Sequence, residues 1–376
     1  MSQTGNSSKF LIRQKRLSVS QKAAGLDALA VNPGPTLFYL TGLNFHLSER
    51  PVVVLFNTSQ PPVIVLPELE TAKLRGLPYP IQSFKYGEDP DTWGSVFEQA
   101  AVASNLQGKK VGVEPRRLRV LELHLLEAAA PDAKFLSAED SIASLRMFKD
   151  ADEILAMRRA AQIAQNALLA TIPMIKVGVT ERAIASELTI QLLRNGSDPE
   201  MPFSPIVSSG PNSANPHAMP SDRPLQPGDL LVIDWGASFK GYFSDITRTF
   251  AIGSIEEGFK KIYDLVQQAN AAGRAACKPE NLAQEVDQAA RSVIEAGGYG
   301  KEFRHRTGHG LGLETHEEPY MRAGNLVPLS PGMTFTVEPG IYLLERGGVR
   351  IEDDMVITAS GAESLTDLPR EMQILG

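Results

Sequence analysis

The 376-residue sequence is poor in the groups that staple or anchor a chain. It has one cysteine, Cys277, which excludes an intrachain disulfide and fits a reducing compartment. Its place near the end of a helical pattern makes it a small packing residue. No stretch approaches the roughly 18 consecutive apolar residues of a membrane span, and the polar start from Met1 to Ser8 lacks the apolar core of a signal peptide. Basic runs are equally scarce: nothing is denser than Lys109-Lys110 or Arg116-Arg117-Leu118-Arg119, against a formal net charge of −7. Nucleic acid is therefore disfavoured as a partner. With 43% hydrophobic and 22% charged residues, the chain has ordinary globular composition and should form about two domains at roughly 100–200 residues each. The expectation is a soluble, cytoplasmic protein that binds neither membrane nor nucleic acid.

In the first part of the chain, short apolar runs alternate with helical spacing. Leu26–Val31, Val52–Phe56, Pro62–Leu66 and Lys110–Val113 read as strands bounded by Pro and Gly, and Thr92–Ser104 and Arg117–Ala129 as helices. Residues 1–145 are thus expected to form an α/β domain. A second domain, 146–376, opens with the acidic Asp150-Ala151-Asp152-Glu153 of a helix start running to Leu169, followed by a helix from Thr180, a capping candidate, to Leu193. After Gly228 the pattern turns to β, with helices at Glu256–Ala276 and Leu282–Ala296 and then β again. This half reads as α+β with hairpins.

Two of those hairpins carry paired acids. The segment from Leu231 to Phe250 reads as two strands, and a turn centred between Phe239 and Lys240 opposes Asp234 to Asp245. Opposed carboxylates lie about 4.5–5.5 Å apart at Cβ and repel, so a cation between them is the simplest reason for the pattern. A slip of one residue would put the two acids on opposite faces and leave a surface hairpin with two solvated charges. The segment from Thr334 to Asp354 repeats the arrangement: a turn centred on Glu345 opposes Glu338 to Glu352, with Pro339-Gly340 a candidate bulge.

Between the hairpins lies His305-Arg306-Thr307-Gly308-His309-Gly310-Leu311-Gly312-Leu313-Glu314-Thr315-His316, which holds three of the six histidines. The glycines let backbone pass close to a crowded site, and His309 among them is a natural nitrogen ligand. Four carboxylates and an imidazole suit a pair of divalent ions, manganese, cobalt or zinc, better than a structural zinc site, which favours thiolates. Two such cations balance four carboxylates; one leaves the pocket with net negative charge.

These residues resemble the pita-bread metallopeptidases, and within them the Xaa-Pro peptidases, prolidase and aminopeptidase P. The matching pieces are Ile233-Asp234-Trp235-Gly236-Ala237, Ser244-Asp245-Ile246-Thr247-Arg248-Thr249, Gly308-His309-Gly310-Leu311-Gly312, Val337-Glu338-Pro339-Gly340 and Val349-Arg350-Ile351-Glu352-Asp353. The resemblance implies a creatinase-like N-terminal domain and a pita-bread catalytic domain. It also implies that Asp245 and Glu352 bridge two metals, that Asp234 completes one shell, and that His309 and Glu338 complete the other. By the same likeness Glu338 shuttles the proton, His217 and His316 contact substrate and stabilise the tetrahedral intermediate, His305 lines the substrate site, and Arg350 orients neighbouring groups or binds substrate. A homodimer is implied as well.

The implied substrate is a small peptide with proline at its second position. Its scissile nitrogen carries no hydrogen and must gain a proton before it departs, so a positioned acid is required. The resemblance also implies that the N-terminal domain overhangs the cleft, where Arg50, in the loop after Tyr39-Leu40-Thr41-Gly42, would pair with a dipeptide carboxylate. A dipeptidase is the reading adopted, with an aminopeptidase P acting on longer peptides as the alternative. A non-metal hydrolase of creatinase type would lack the full acidic set, and a non-catalytic pita-bread binding module would have lost a ligand or a substrate histidine; neither loss is present here.

Overall fold

A computed structural model describes residues 3–376, so Met1 and Ser2 of the polar start lie outside the described residues. The chain divides into two compact units, the first ending at Arg146 and the second running from Met147 to Gly376. The first holds helix α1 (Gln3–Ala23), strand β1 (Ala28–Val31), α2 (Pro35–Thr41), β2 (Val53–Asn57), β3 (Val63–Pro67), β4 (Gln82–Tyr86), α3 (Trp93–Ala103), β5 (Lys110–Val113), α4 (Val120–Ala129), β6 (Lys134–Ser137) and α5 (Glu139–Arg146). Its mixed sheet runs β4-β3-β2-β1-β5-β6. The central strands are continuous apolar runs because both faces are covered. On one face Phe97, Ala100, Leu126 and Ala129 of α3 and α4 pack with Ala28, Ala30, Val53 and Val65 of the strands. Helix α1 is tied to the same unit by Gln21, which donates to the carbonyl of Phe56 at 3.0 Å. The edge strands β4 and β6 escape the sequence pattern because they are half exposed and mix polar with apolar residues.

The second unit is built as helices outside and strands inside. It comprises α6 (Ala151–Thr171), α7 (Glu181–Arg194), β7 (Ile206–Ser209), β8 (Leu230–Trp235), β9 (Ser238–Phe239), β10 (Tyr242–Phe243), β11 (Ile246–Ile252), α8 (Glu257–Ala276), α9 (Ala283–Ala296), β12 (Gly308–Gly310), β13 (Glu317–Met321), β14 (Thr334–Val337), β15 (Gly340–Leu343), β16 (Gly347–Arg350), β17 (Asp353–Thr358), β18 (Gly361–Ser364) and β19 (Ile374–Leu375). The larger sheets are ordered β19-β11-β8-β7 and β13-β12-β14-β17-β18. Helices α6 and α7 bury Ile163, Leu168, Ile184 and Leu188 against Ile233, Trp235 and Phe250 of the first sheet. Helices α8 and α9 bury Ile262, Val266 and Ala290 with Ile341 and Val349, and Val286 with Phe335, Val337 and Met355.

Local chemistry sets the helix starts. Asp150 accepts from the Glu153 amide at 2.9 Å while Glu153 returns the contact to the Asp150 amide at 2.8 Å, a capping box. The other oxygen of Glu153 receives the Tyr242 hydroxyl at 2.6 Å, which ties α6 to the β9–β10 hairpin. Thr180 caps α7 through the Ala183 amide. Cys277 is buried at the end of α8, its thiol on the carbonyl of Gly273, and burial pushes it up to about 12, in keeping with a packing role. No helix among the described residues is long and apolar enough to cross a membrane.

The first hairpin corrects the expected register. Its turn falls at Lys240-Gly241, both at positive φ, one residue later than expected, so Asp234 pairs with Thr247 and not with Asp245. The offset of two leaves Asp245 on the same face as Thr247, so the acids still share a side of the ribbon. The second hairpin has the expected register: Gly340 pairs with Arg350 and Val337 with Asp353, which sets Glu338 opposite Glu352 between the two ladders.

Gly308 marks the tightest approach between strands. A Cβ there would lie 1.8 Å from the backbone oxygen of Thr336, whereas one at Gly361 meets nothing within 4 Å. Gly308→Ala is therefore expected to cost about 1–3 kcal/mol or more through overpacking, and Gly361→Ala less than about 0.5 kcal/mol. Urea unfolding midpoints of the two variants check the contrast.

Candidate active site

The sheets of the second unit bring the acidic hairpins and the glycine-rich strand together. Ligand atoms of Asp245, His309 and Glu352, all buried, lie within 4.8 Å of one another. His309 sits on β12 between Gly308 and Gly310, and its amide donates to Thr336 Oγ1 at 3.1 Å. Its Nδ1 pairs with the carbonyl of Gly310 at 3.1 Å, which assigns a proton to Nδ1 and turns Nε2 toward the acids. Nε2 lies 3.2 Å from Glu338 Oε1 and 3.8 Å from Asp245 Oδ2. Asp234 joins the group from β8 through Arg350, whose Nη2 is 2.5 Å from its Oδ2.

The supporting contacts fix each donor. Thr247 donates to Glu352 Oε2 at 2.6 Å and accepts from Arg350 Nε at 3.1 Å. Arg350 Nη1 donates to the Tyr342 hydroxyl at 2.8 Å, and that hydroxyl lies 3.0 Å from His305 Nε2. The Asp245 amide donates to Asp354 at 3.1 Å. Behind the site, Asp353 is fully buried and receives Arg248, Arg370, Asn270 and Thr366, while Arg248 also donates to the carbonyls of Thr247 and Glu352. Sequence reasoning missed Thr247, Thr336, Tyr342 and the Asp353 cluster as site residues, although Thr247 shares a strand face with Asp245 and that alternation is enough to find it.

Electrostatics divide the acids into two groups. Burial, then repulsion from Glu352 and Asp234, raises Asp245 well above the usual carboxylate range. Burial, then Glu338 and Asp234, does the same to Glu352. Asp234 is raised by burial in spite of Arg350, and its Oδ1 is buried with no hydrogen-bond donor. Burial would also raise Glu338, but its hydrogen bond to His309 and the nearby His309, His305 and Arg350 overcome it and pull it down to about 2. Four acids held together against their own repulsion, with an unpartnered oxygen and an imidazole nitrogen among them, form a donor set that fits divalent cations.

The remaining residues singled out from sequence are placed as follows. His316 packs its ring edge-on against His309 at 4.2 Å between centroids. Burial of that ring, with His309 and Arg306 beside it, pulls it down to about 4, so it is neutral at pH 7; His217 is among its smaller influences and so stands near it. His217 itself is exposed. His305 is half-buried, edge-on to Phe303, and burial lowers it. Arg50 belongs to the first unit, where its guanidinium pairs with Glu88 at 2.7 Å and Glu49 at 2.8 Å.

Comparison with known proteins accords with this geometry. A family model described as Metallopeptidase family M24 matches residues 155–359, and one described as Creatinase/Prolidase N-terminal domain matches residues 13–148. The chain is 35% identical over 363 residues to a putative dipeptidase, YkvY, of Bacillus subtilis, covering 96% of this chain and 99% of the relative. It is 34% identical over 352 residues to an Xaa-Pro dipeptidase of Lactobacillus delbrueckii subsp. lactis, covering 93% and 95%. The crystal structure of a prolidase from Thermococcus sibiricus superposes with a TM-score of 0.92 at 33% identity, covering 97% of this chain and 99% of that one.

Metal loading should be proton-linked. Because Asp245 and Glu352 are raised, cations must displace protons from them, so affinity falls as pH is lowered. Titrating manganese(II) into chelator-treated protein in two buffers of different ionisation enthalpy should show weaker binding at the lower pH and proton release. A pH-independent affinity without proton release would mean that both acids are ionised before metal arrives.

Proposed function

The chain belongs to metallopeptidase family M24, and from that premise we propose that it hydrolyses the Xaa-Pro bond of dipeptides. The observation that carries the reading is the convergence of the Asp245, His309 and Glu352 donors, with Glu338 and Asp234 beside them, in a chain whose relatives include an Xaa-Pro dipeptidase and a prolidase. Asp234, Asp245, His309, Glu338 and Glu352 would hold two divalent cations, with manganese first and cobalt or zinc as alternatives. When bound, such a pair supplies an activated water near neutral pH and a Lewis acid for the scissile carbonyl.

The chain's own groups do the rest. Glu338, held ionised and steadied by Thr336 Oγ1 at 3.2 Å, takes a proton from the attacking water and delivers it to the proline nitrogen, which otherwise cannot leave. His316, neutral at pH 7, donates an N–H to the developing oxyanion, with His217 beside it on the substrate side. Arg350 stays charged in its buried place and fixes Asp234, Thr247 and Tyr342 at once, while His305 closes that chain of hydrogen bonds at the Tyr342 hydroxyl. Arg50 is held within its own unit by Glu49 and Glu88, and its pairing with a dipeptide carboxylate is carried by the resemblance alone. A cytoplasmic homodimer with two domains, 1–145 and 146–376, completes the reading.

After reconstitution with manganese, Ala-Pro should be cleaved with a higher kcat/KM than Ala-Pro-Yaa tripeptides. The reverse order would make the protein an aminopeptidase P, and no turnover with manganese, cobalt or zinc would make it a binding module. Asp245→Ala and Glu352→Ala should each lose metal, measured by elemental analysis after dialysis, along with at least about a thousandfold in kcat, the scale on which removal of a principal catalytic group is felt. Full metal content in either variant would contradict a bridging role.

A further inference from the structure

The first residue of α7, Glu181, is fully buried and engages more donors than a helix-start acid needs. Its Oε1 accepts from the Ser209 amide at 2.7 Å, the Ser209 hydroxyl at 2.8 Å and Asn212 Nδ2 at 3.0 Å. Its Oε2 accepts from the Ser221 amide at 3.0 Å, the Ser221 hydroxyl at 2.6 Å and Asn212 Nδ2 at 3.1 Å. One carboxylate therefore grips both ends of the segment 209–221, and that segment carries His217. The grip is reciprocal: the amides of Glu181 and Arg182 donate to the carbonyls of Arg223 and Ser221. Arg223 adds a second strut, donating to Ser209 Oγ at 2.7 Å while it pairs with Asp229 at 2.6 Å.

The far side of the same segment meets the candidate site. Ser213 Oγ accepts from the Gly348 amide at 2.9 Å, and the Pro216 carbonyl accepts from Arg350 Nη2 at 3.4 Å. His217 is thus the exposed tip of a segment whose base is clamped by a buried carboxylate and whose flank rests on the hairpin holding Arg350.

We propose that Glu181 is a positioning residue: by accepting hydrogen bonds from Ser209, Asn212 and Ser221 it sets the height and direction at which His217 meets the substrate. The proposal rests on the role given to His217 under the reading above. It follows from the physics of the clamp, because a carboxylate is an acceptor at both oxygens and all the groups facing it donate. In Glu181→Gln the size is kept, but the amide NH2 is turned toward either the Ser209 or the Ser221 amide, where donor meets donor and one end of the segment is released.

The test is a double-mutant cycle of Glu181→Gln with His217→Ala, read as kcat/KM on Ala-Pro with manganese, beside metal content and thermal midpoint. His217→Ala is expected to lower kcat/KM, and Glu181→Gln to lower it by about tenfold to a hundredfold, the scale of a misplaced group. In the His217→Ala background Glu181→Gln should cost less than about a further twofold, with metal content unchanged. A general packing defect would not show that dependence on His217. Losses that multiply in full, or that track loss of metal, overturn the proposal while leaving His217 its role. Wild-type turnover in His217→Ala removes that role and the proposal with it. Should Glu181→Gln fail to fold, Ser221→Ala, which removes one donor from Oε2, is put through the same cycle with the same criteria.

Discussion

Mutual repulsion among buried acids is the constraint around which the second unit is built. Asp234, Asp245, Glu338 and Glu352 come from β8, the residue before β11, and the two sides of the junction between the β14–β17 and β15–β16 ladders. Left alone in water they would separate. They are kept together because each is attached to strand backbone whose other side chains are apolar and packed under helices, so moving an acid outward means breaking a core. Those cores hold in place an arrangement that is unfavourable until cations enter it.

The scaffold steers the charges apart in their chemistry even as it brings them together. Asp245 and Glu352 are pushed toward the protonated form by burial and by neighbouring acids, whereas Glu338, beside His309, remains ionised. One pocket thereby holds acids pushed toward the protonated form beside one kept ionised. The layer beneath uses the opposite device. Asp353 is saturated by Arg248, Arg370, Asn270 and Thr366, and sits at about 2, so it carries a settled charge and has no oxygen to spare for a ligand. Breaking such a buried pair costs about 3–5 kcal/mol, which makes the layer a stiff backing for the strands in front of it.

Much of this is legible in the sequence because acids and glycines are conspicuous among strand residues. Paired carboxylates at hairpin spacing, and His309 between two glycines, identify the donor set before any geometry. What the sequence does not yield has physical reasons. The turn at Lys240-Gly241 lies one residue later than expected, and so moves the pairing by two, because Lys240 adopts a positive φ that its side chain gives no cause to expect. Strand β7 and edge strands β4 and β6 carry too few apolar residues to stand out. Glu181 reads as an ordinary first-turn acid, favourable beside a helix N-terminus, and only the fold shows that five donors from three residues converge on it. Long-range polar networks leave no local pattern, since each member is an unremarkable serine, asparagine or arginine.

The Arg370 guanidinium that helps saturate Asp353 lies later in the chain than Asp234, Asp245, His309, Glu338 and Glu352. Every acid and imidazole of the candidate site therefore precedes the last of the brace behind them. Protein synthesised only as far as residue 365 would have the donors but neither Thr366 nor Arg370 to steady the strand that follows Glu352. Such a chain would leave Asp353 hydrogen-bonded to Arg248 and Asn270 alone.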